Sequence, residues 1–165
     1  MIKRKNIVSV LVVLVGLAGI FGVSCNNDPG FPAEPSLEFL SLTPDTVQDQ
    51  RDSMVLRLRF TDGDGNLGSD DNAVFNLVVV DRRLYADEFP LTEEQATLNY
   101  TLPDLTPDTK NPAIQGIINV EIAPTAIRLA LQGAAQDVTT FDVFITDRDD
   151  NVSNTVTTTP VVIVR

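Results

Sequence analysis

The stretch MVLRLRFTDGDGNLG, Met54–Gly68, decides how the chain folds. Its first seven residues alternate strictly. Met54, Leu56, Leu58 and Phe60 fall on one side, and Val55, Arg57 and Arg59 on the other. A period of two with one apolar and one charged face is the pattern of a half-buried antiparallel strand. The same period recurs outward from this stretch. SLEFLSL turns Leu37, Phe39 and Leu42 toward a core, and NAVFNLVVVDRR continues with Val, Phe and Leu before ending in charge. ATLNYTLP (96–103) alternates more weakly. QGIINVEI sets Ile118, Val120 and Ile122 against Asn119 and Glu121, and TTFDVFITD buries Phe141, Val143 and Ile145. The terminal NTVTTTPVVIV is β-branched, and its Pro160 marks an edge strand or a bulge. DEFPLTEEQA (87–96) has room for a helical turn, and PTAIRLALQG (124–133) reads equally as strand or short helix. No long amphipathic helix and no internal repeat is present. These runs predict an all-β, antiparallel sandwich of about seven strands over residues 37–165.

The chain has 165 residues, one domain's worth once a leader is set aside. Hydrophobic residues make up 43%, enough for a core, but aromatics only 6%, with no Trp. Histidine is absent, which removes the usual general base and the commonest metal-binding imidazole. The formal net charge is −11, and Lys3, Arg4 and Lys5 sit in the leader without any acid, so the remainder is more acidic still. Such a surface repels phosphate backbones and argues against nucleic acid. It suits divalent cations or basic partners, and serves solubility equally well.

The N-terminus reads MIKRKNIVSVLVVLVGLAGIFGVSC. A basic start, an apolar run from Ile7 to Val23 and small residues before Cys25 form the layout of a secretory signal. With the single cysteine directly after it, the stretch resembles a bacterial lipoprotein signal, although Gly22 stands where a Leu-like residue is usual. The resemblance implies that residues 1–24 are a signal peptide and that Cys25 is lipidated, placing the protein in the cell envelope at the outer membrane or cell surface. An uncleaved anchor of about 17 residues, spanning roughly 25 Å as a helix, and an ordinary signal peptide are the alternatives. One cysteine allows no internal disulfide. Residues 25–36 then carry Pro29, Pro32 and Pro35 and read as an extended, flexible tether.

Three stretches carry a second resemblance: RFTDGDGNLG, FITDRDDNVSN and TVTTTPVVIV. With them the chain looks like the Ig-like, fibronectin-III-like domains of bacterial surface lipoproteins. The resemblance implies an Ig-like sandwich serving as a non-catalytic binding or structural module for an unknown envelope protein or glycan. It transfers no catalytic residue.

The aspartates allow two readings. Asp62, Asp64 and Asn66 hold the first, third and fifth places of a D-x-D-x-N loop, and Asp70 the ninth. Leu67 and Ala73 then stand where an EF-hand needs Gly and Glu, and the flanks read as strands, so the pattern argues against an EF-hand. A calcium site remains open if this loop meets Asp147, Asp149 and Asn151 of TDRDDN at the same end of a sandwich. On the other reading both loops are turns. Gly63, Gly65 and Gly68 then supply positive φ, and the aspartates bond local amides. Two alternative functions attach to neighbouring residues. A small hydrolase would use the carboxylates Asp62, Asp64 and Asp147 as acid and base in an open pocket. A carbohydrate-binding module would stack sugars on Tyr85, Phe89 and Tyr100. Arg82 and Arg83 read as a charged strand end or as a clamp for an acidic ligand.

Overall fold

The computed structural model describes residues 30–165 apart from Glu88, Phe89, Thr109, Asn111 and Gln132. Residues 1–24, read above as a signal peptide, lie outside the described residues, as do Cys25 and Phe89.

The strands are β1 (Ser36–Thr43), β2 (Thr46–Gln48), β3 (Met54–Asp62), β4 (Leu77–Asp81), β5 (Thr97–Tyr100), β6 (Ile114–Ile122), β7 (Gln136–Thr139), β8 (Phe141–Ile145), β9 (Val156–Thr157) and β10 (Val161–Val164). One antiparallel sheet has the order β1-β3-β6. The other strands form β5-β4-β8-β9 and β2-β10-β7. These two sets are one continuous layer, because Thr140 alone separates β7 from β8 and residues 158–160 separate β9 from β10. Phe141 and Thr158 bridge the gap. Phe141 N–H donates to the Thr158 hydroxyl (3.0 Å), and Thr158 N–H to the Phe141 carbonyl (2.9 Å). Rejoined in this way, the segments come close to the seven strands of the sequence reading, in an all-β arrangement consistent with an Ig-like sandwich. The sole parallel pairing among the described strands, β2 with β10, brings the N-terminal strand across to the second layer after Pro44 and Asp45.

The core lies between the layers and follows the period of two. Met54, Leu56, Leu58 and Phe60 of β3 are buried, as are Ile118, Val120 and Ile122 of β6. They face Leu77 and Val79 of β4, Phe141, Val143 and Ile145 of β8, and Val161 and Ile163 of β10. In β1 a register shift between Phe39 and Ser41 moves the inward parity from odd to even, so Leu37 and Leu42 are both buried.

The NAVFNL run does not enter β4 at its start. Val74 and Phe75 are exposed, and the strand begins at Leu77. The helical turn is α1 (Glu93–Ala96), set by a capping box in which Thr92 and Gln95 satisfy each other's backbone amides. The described residues of the ambiguous 124–133 segment form neither strand nor α-helix. A 3-10 turn at Pro124–Ala126 leads into irregular chain that plugs Ile127 into the core.

Candidate functional site

Strand parity builds the site. Asp62 is the next inward position of β3 after Met54, Leu56, Leu58 and Phe60, and its side chain is buried like theirs. Asp147 stands in the same relation to Phe141, Val143 and Ile145 of β8. The two strands belong to facing layers and finish at the same end of the sandwich. Both runs therefore aim a carboxylate into the mouth of the core. Asp64, two residues on in the glycine loop, joins them, and one oxygen from each of the three lies within 4.8 Å of the others.

The glycines allow the loop to pass this close to its surroundings. Gly65 (φ 67°) and Gly68 (φ 88°) are left-handed, as the turn reading requires. A Cβ at Gly65 would also lie 2.0 Å from the Pro112 carbonyl, and one at Gly68 1.8 Å from that of Pro103. Gly63 is needed for room alone. Its own φ is not positive, but a Cβ there would lie 2.2 Å from the carbonyl of Phe31. Gly63 N–H donates to the Pro32 carbonyl (2.8 Å), and Pro35 is buried, so the last residues of the proline-rich segment lie against the aspartate loop. Ser36 already belongs to β1.

The carboxylates differ in how they are satisfied. Asp147 behaves as a turn former: one oxygen accepts from the Asp149 and Asn151 amides (2.9 and 2.8 Å), the other from the Asn151 side chain (2.8 Å). Asp62 does not. Both of its oxygens are sealed from solvent, and no donor reaches them with hydrogen-bonding geometry. One oxygen of Asp64 and the side-chain carbonyl of Asn66 are likewise buried and unpartnered, while the Asn66 amide nitrogen donates to Asp64 (3.2 Å) and Asp149 (3.1 Å). Burial, with the charges of Asp64 and Asp147 added, pushes the Asp62 carboxyl up to about 6, and the nearby Asn66 backbone N–H offsets this only weakly.

Of the seven residues read as calcium candidates, Asp62, Asp64 and Asp147 converge, and Asn66 lies among them. Asp149 and Asn151 form an outer ring that holds Asn66 and Asp147 in place. Asp70 is exposed and outside the group. A cation stands nearby that the sequence reading left out. Arg148 donates from its backbone to the Asn66 carbonyl (3.3 Å) and from its guanidinium to Asp104 (2.6 Å) and the Thr106 hydroxyl. It ties the chain at Asp104 and Thr106 to the site. The Thr106 hydroxyl and then Arg148 hold the exposed Asp104 carboxyl down at about 2.

The other candidate residues are placed elsewhere. Tyr100 pairs with Leu77 at one end of β4, and exposed Tyr85 follows the opposite end, so the two do not form a shared stacking platform. Arg83 is no ligand clamp. It is buried, ion-paired with Asp81 (2.5 Å) and Asp137 (2.6 Å), and donates to the Arg128 carbonyl (2.9 Å). Arg82 pairs at the surface with Asp142 (3.1 Å).

No protein-family model matches the chain, and no curated protein matches it in sequence. Among solved structures, a D312A form of BcpA, the major pilin subunit of Bacillus cereus, is similar at a TM-score of 0.33 with 10% identity. The match covers 79% of this chain and 40% of that one, so this chain spans less than half of the pilin's length. Among the described residues no helix is long and apolar enough to cross a membrane.

Proposed function

We propose that this is a non-catalytic envelope module: one Ig-like sandwich, attached to a membrane through lipidated Cys25 and acting as a binding or structural element. The non-catalytic part of the reading is carried by how the carboxylates are set. Acid-base hydrolysis needs two carboxyl groups opening onto a substrate path. Asp62, Asp64 and Asp147 face one another instead, Asp62 has no exposed surface, and Phe31 and Pro32 lie over the adjoining Gly63. The anchored part is supported by the basic-apolar-cysteine order of residues 1–25 and by the proline-rich chain between Cys25 and β1.

Intact-mass analysis of the protein extracted from membranes tests the attachment. The expected species begins at Cys25 and carries acyl mass. A soluble chain with a free Cys25 thiol would overturn the reading.

A further inference from the structure

A fully buried carboxylate without a hydrogen-bond donor is a poor resident of a core. It carries polar oxygens, and when ionised a charge, into low dielectric with nothing to compensate them. Yet β3 delivers Asp62 to this position by the same alternation that buries Phe60. The oxygens left over beside it complete a pattern. Both Asp62 oxygens, one of Asp64 and the carbonyl of Asn66 are buried and unpartnered, and Asp147 closes the far side within 4.8 Å. Every atom in the set is oxygen, and the chain has no histidine to add nitrogen. Hard oxygen donors, three of them carboxylates, with a side-chain amide carbonyl, match the preferences of calcium, which takes six to eight oxygens in adaptable geometry.

We propose that Asp62, Asp64, Asn66 and Asp147 bind one calcium ion, and that the ion fixes the course of the chain that leads toward Cys25. The coordinating set spans both layers, so the ion clips the loop after β3 to the loop after β8. Gly63 lies between two of the ligands, and its N–H holds the Pro32 carbonyl. Loading the site therefore sets the seat on which residues 31–32 rest. The inference does not depend on lipidation, because every group in it lies in the folded part.

The test uses the full-length chain in detergent, with calcium, magnesium or chelator as the only variable. Calorimetric titration should give about one calcium per chain. Saturating calcium should raise the melting midpoint by on the order of 10 °C over chelator. Hydrogen exchange at the Gly63 amide should slow in parallel. Magnesium should do less, since it demands a small octahedron and keeps its waters. Asp62→Asn should abolish the calcium response while melting in chelator at or above wild type, which separates loss of the ion from loss of the fold. The proposal is overturned if wild type shows neither binding heat nor a midpoint shift, if Asp62→Asn retains the shift, or if magnesium acts as strongly as calcium. Calcium binding that leaves Gly63 exchange unchanged would overturn the coupling to the N-terminal chain.

Discussion

Asp62 and Asp147 stand at equivalent places in facing layers, each the inward residue that follows a buried apolar run, and their carboxylate oxygens come within 4.8 Å of each other. Two like charges at the mouth of a core oppose folding when nothing neutralises them. The stability of this end of the molecule therefore depends on what neutralises them.

Without metal, protons take that part. The folded chain holds Asp62 at about 6, whereas the unfolded value is 3.8. The native state thus binds a proton that the unfolded state has released, and stability falls as pH rises through roughly 4 to 6. In chelator, lowering the pH from 7 to 5 is expected to raise the melting midpoint, with Asp62→Asn removing most of the slope. The effect over this interval is about 1 kcal/mol. A wild-type midpoint that falls over this interval would count against it. Asp137 works in the opposite direction, below the ordinary carboxylate range. Burial raises its carboxyl, but the bond and charge of Arg83 and the Ala130 amide pull it lower, so its stabilisation is lost only in stronger acid.

Glycine substitutions should separate the two uses of the loop. Gly68→Ala places a methyl 1.8 Å from the Pro103 carbonyl at a φ of 88°, where neither backbone can yield cheaply. It should cost about 2–4 kcal/mol in urea unfolding. Gly63→Ala meets first the backbone of Phe31 and Pro32, in the chain that precedes β1. It should cost much less globally while exposing the Gly63 region to hydrogen exchange.

Arg83→Ala would leave Asp81 and Asp137 without their shared cation. Asp81 is buried, and the arginine also braces the Arg128 carbonyl. A loss of about 3–5 kcal/mol is expected, measured by denaturant midpoint. Arg83→Lys should recover little, because the guanidinium reaches both carboxylates and a carbonyl at once. The surface pair of Arg82 and Asp142 should contribute under 1 kcal/mol.

Two residues apart in sequence, Phe75 and Leu77 should respond very differently. Phe75 is 59% exposed and Leu77 fully buried. Phe75→Ala should change stability by less than about 0.5 kcal/mol, and Leu77→Ala should cost about 2–5 kcal/mol. Equal effects would mean that β4 begins before Leu77.

Phe75 also shows where the linear pattern failed. Its hydrophobicity suggested a strand interior, but Asn76 interrupts the run. The Asn76 carbonyl accepts from Thr146 N–H, and its side chain accepts from Leu102 N–H. A buried polar residue serving two distant backbone groups leaves no periodic trace. Arg83 was opaque for the same reason: a charge next to Arg82 reads as solvated until Asp137 is known to lie beside it. Asp62 was more legible than a turn-only reading allows. The alternation that buries Met54 and Phe60 continues to Asp62, although the sequence reading ended the strand at Phe60 and gave Asp62 to the loop.

The order of amino acids by itself determined the all-β class, the inward residues of β3, β6 and β8, and the acidic character of the two loops. Each of these follows from side chains alternating along an extended backbone, which neighbours in sequence record. Only the tertiary structure decided that Asp62 meets Asp147, that Asn66 and Arg148 complete that end, and that the chain at Phe31–Pro32 rests on Gly63. Those contacts join segments far apart in the chain, and which loops come together depends on how two sheets stack, a property that no local repeat encodes.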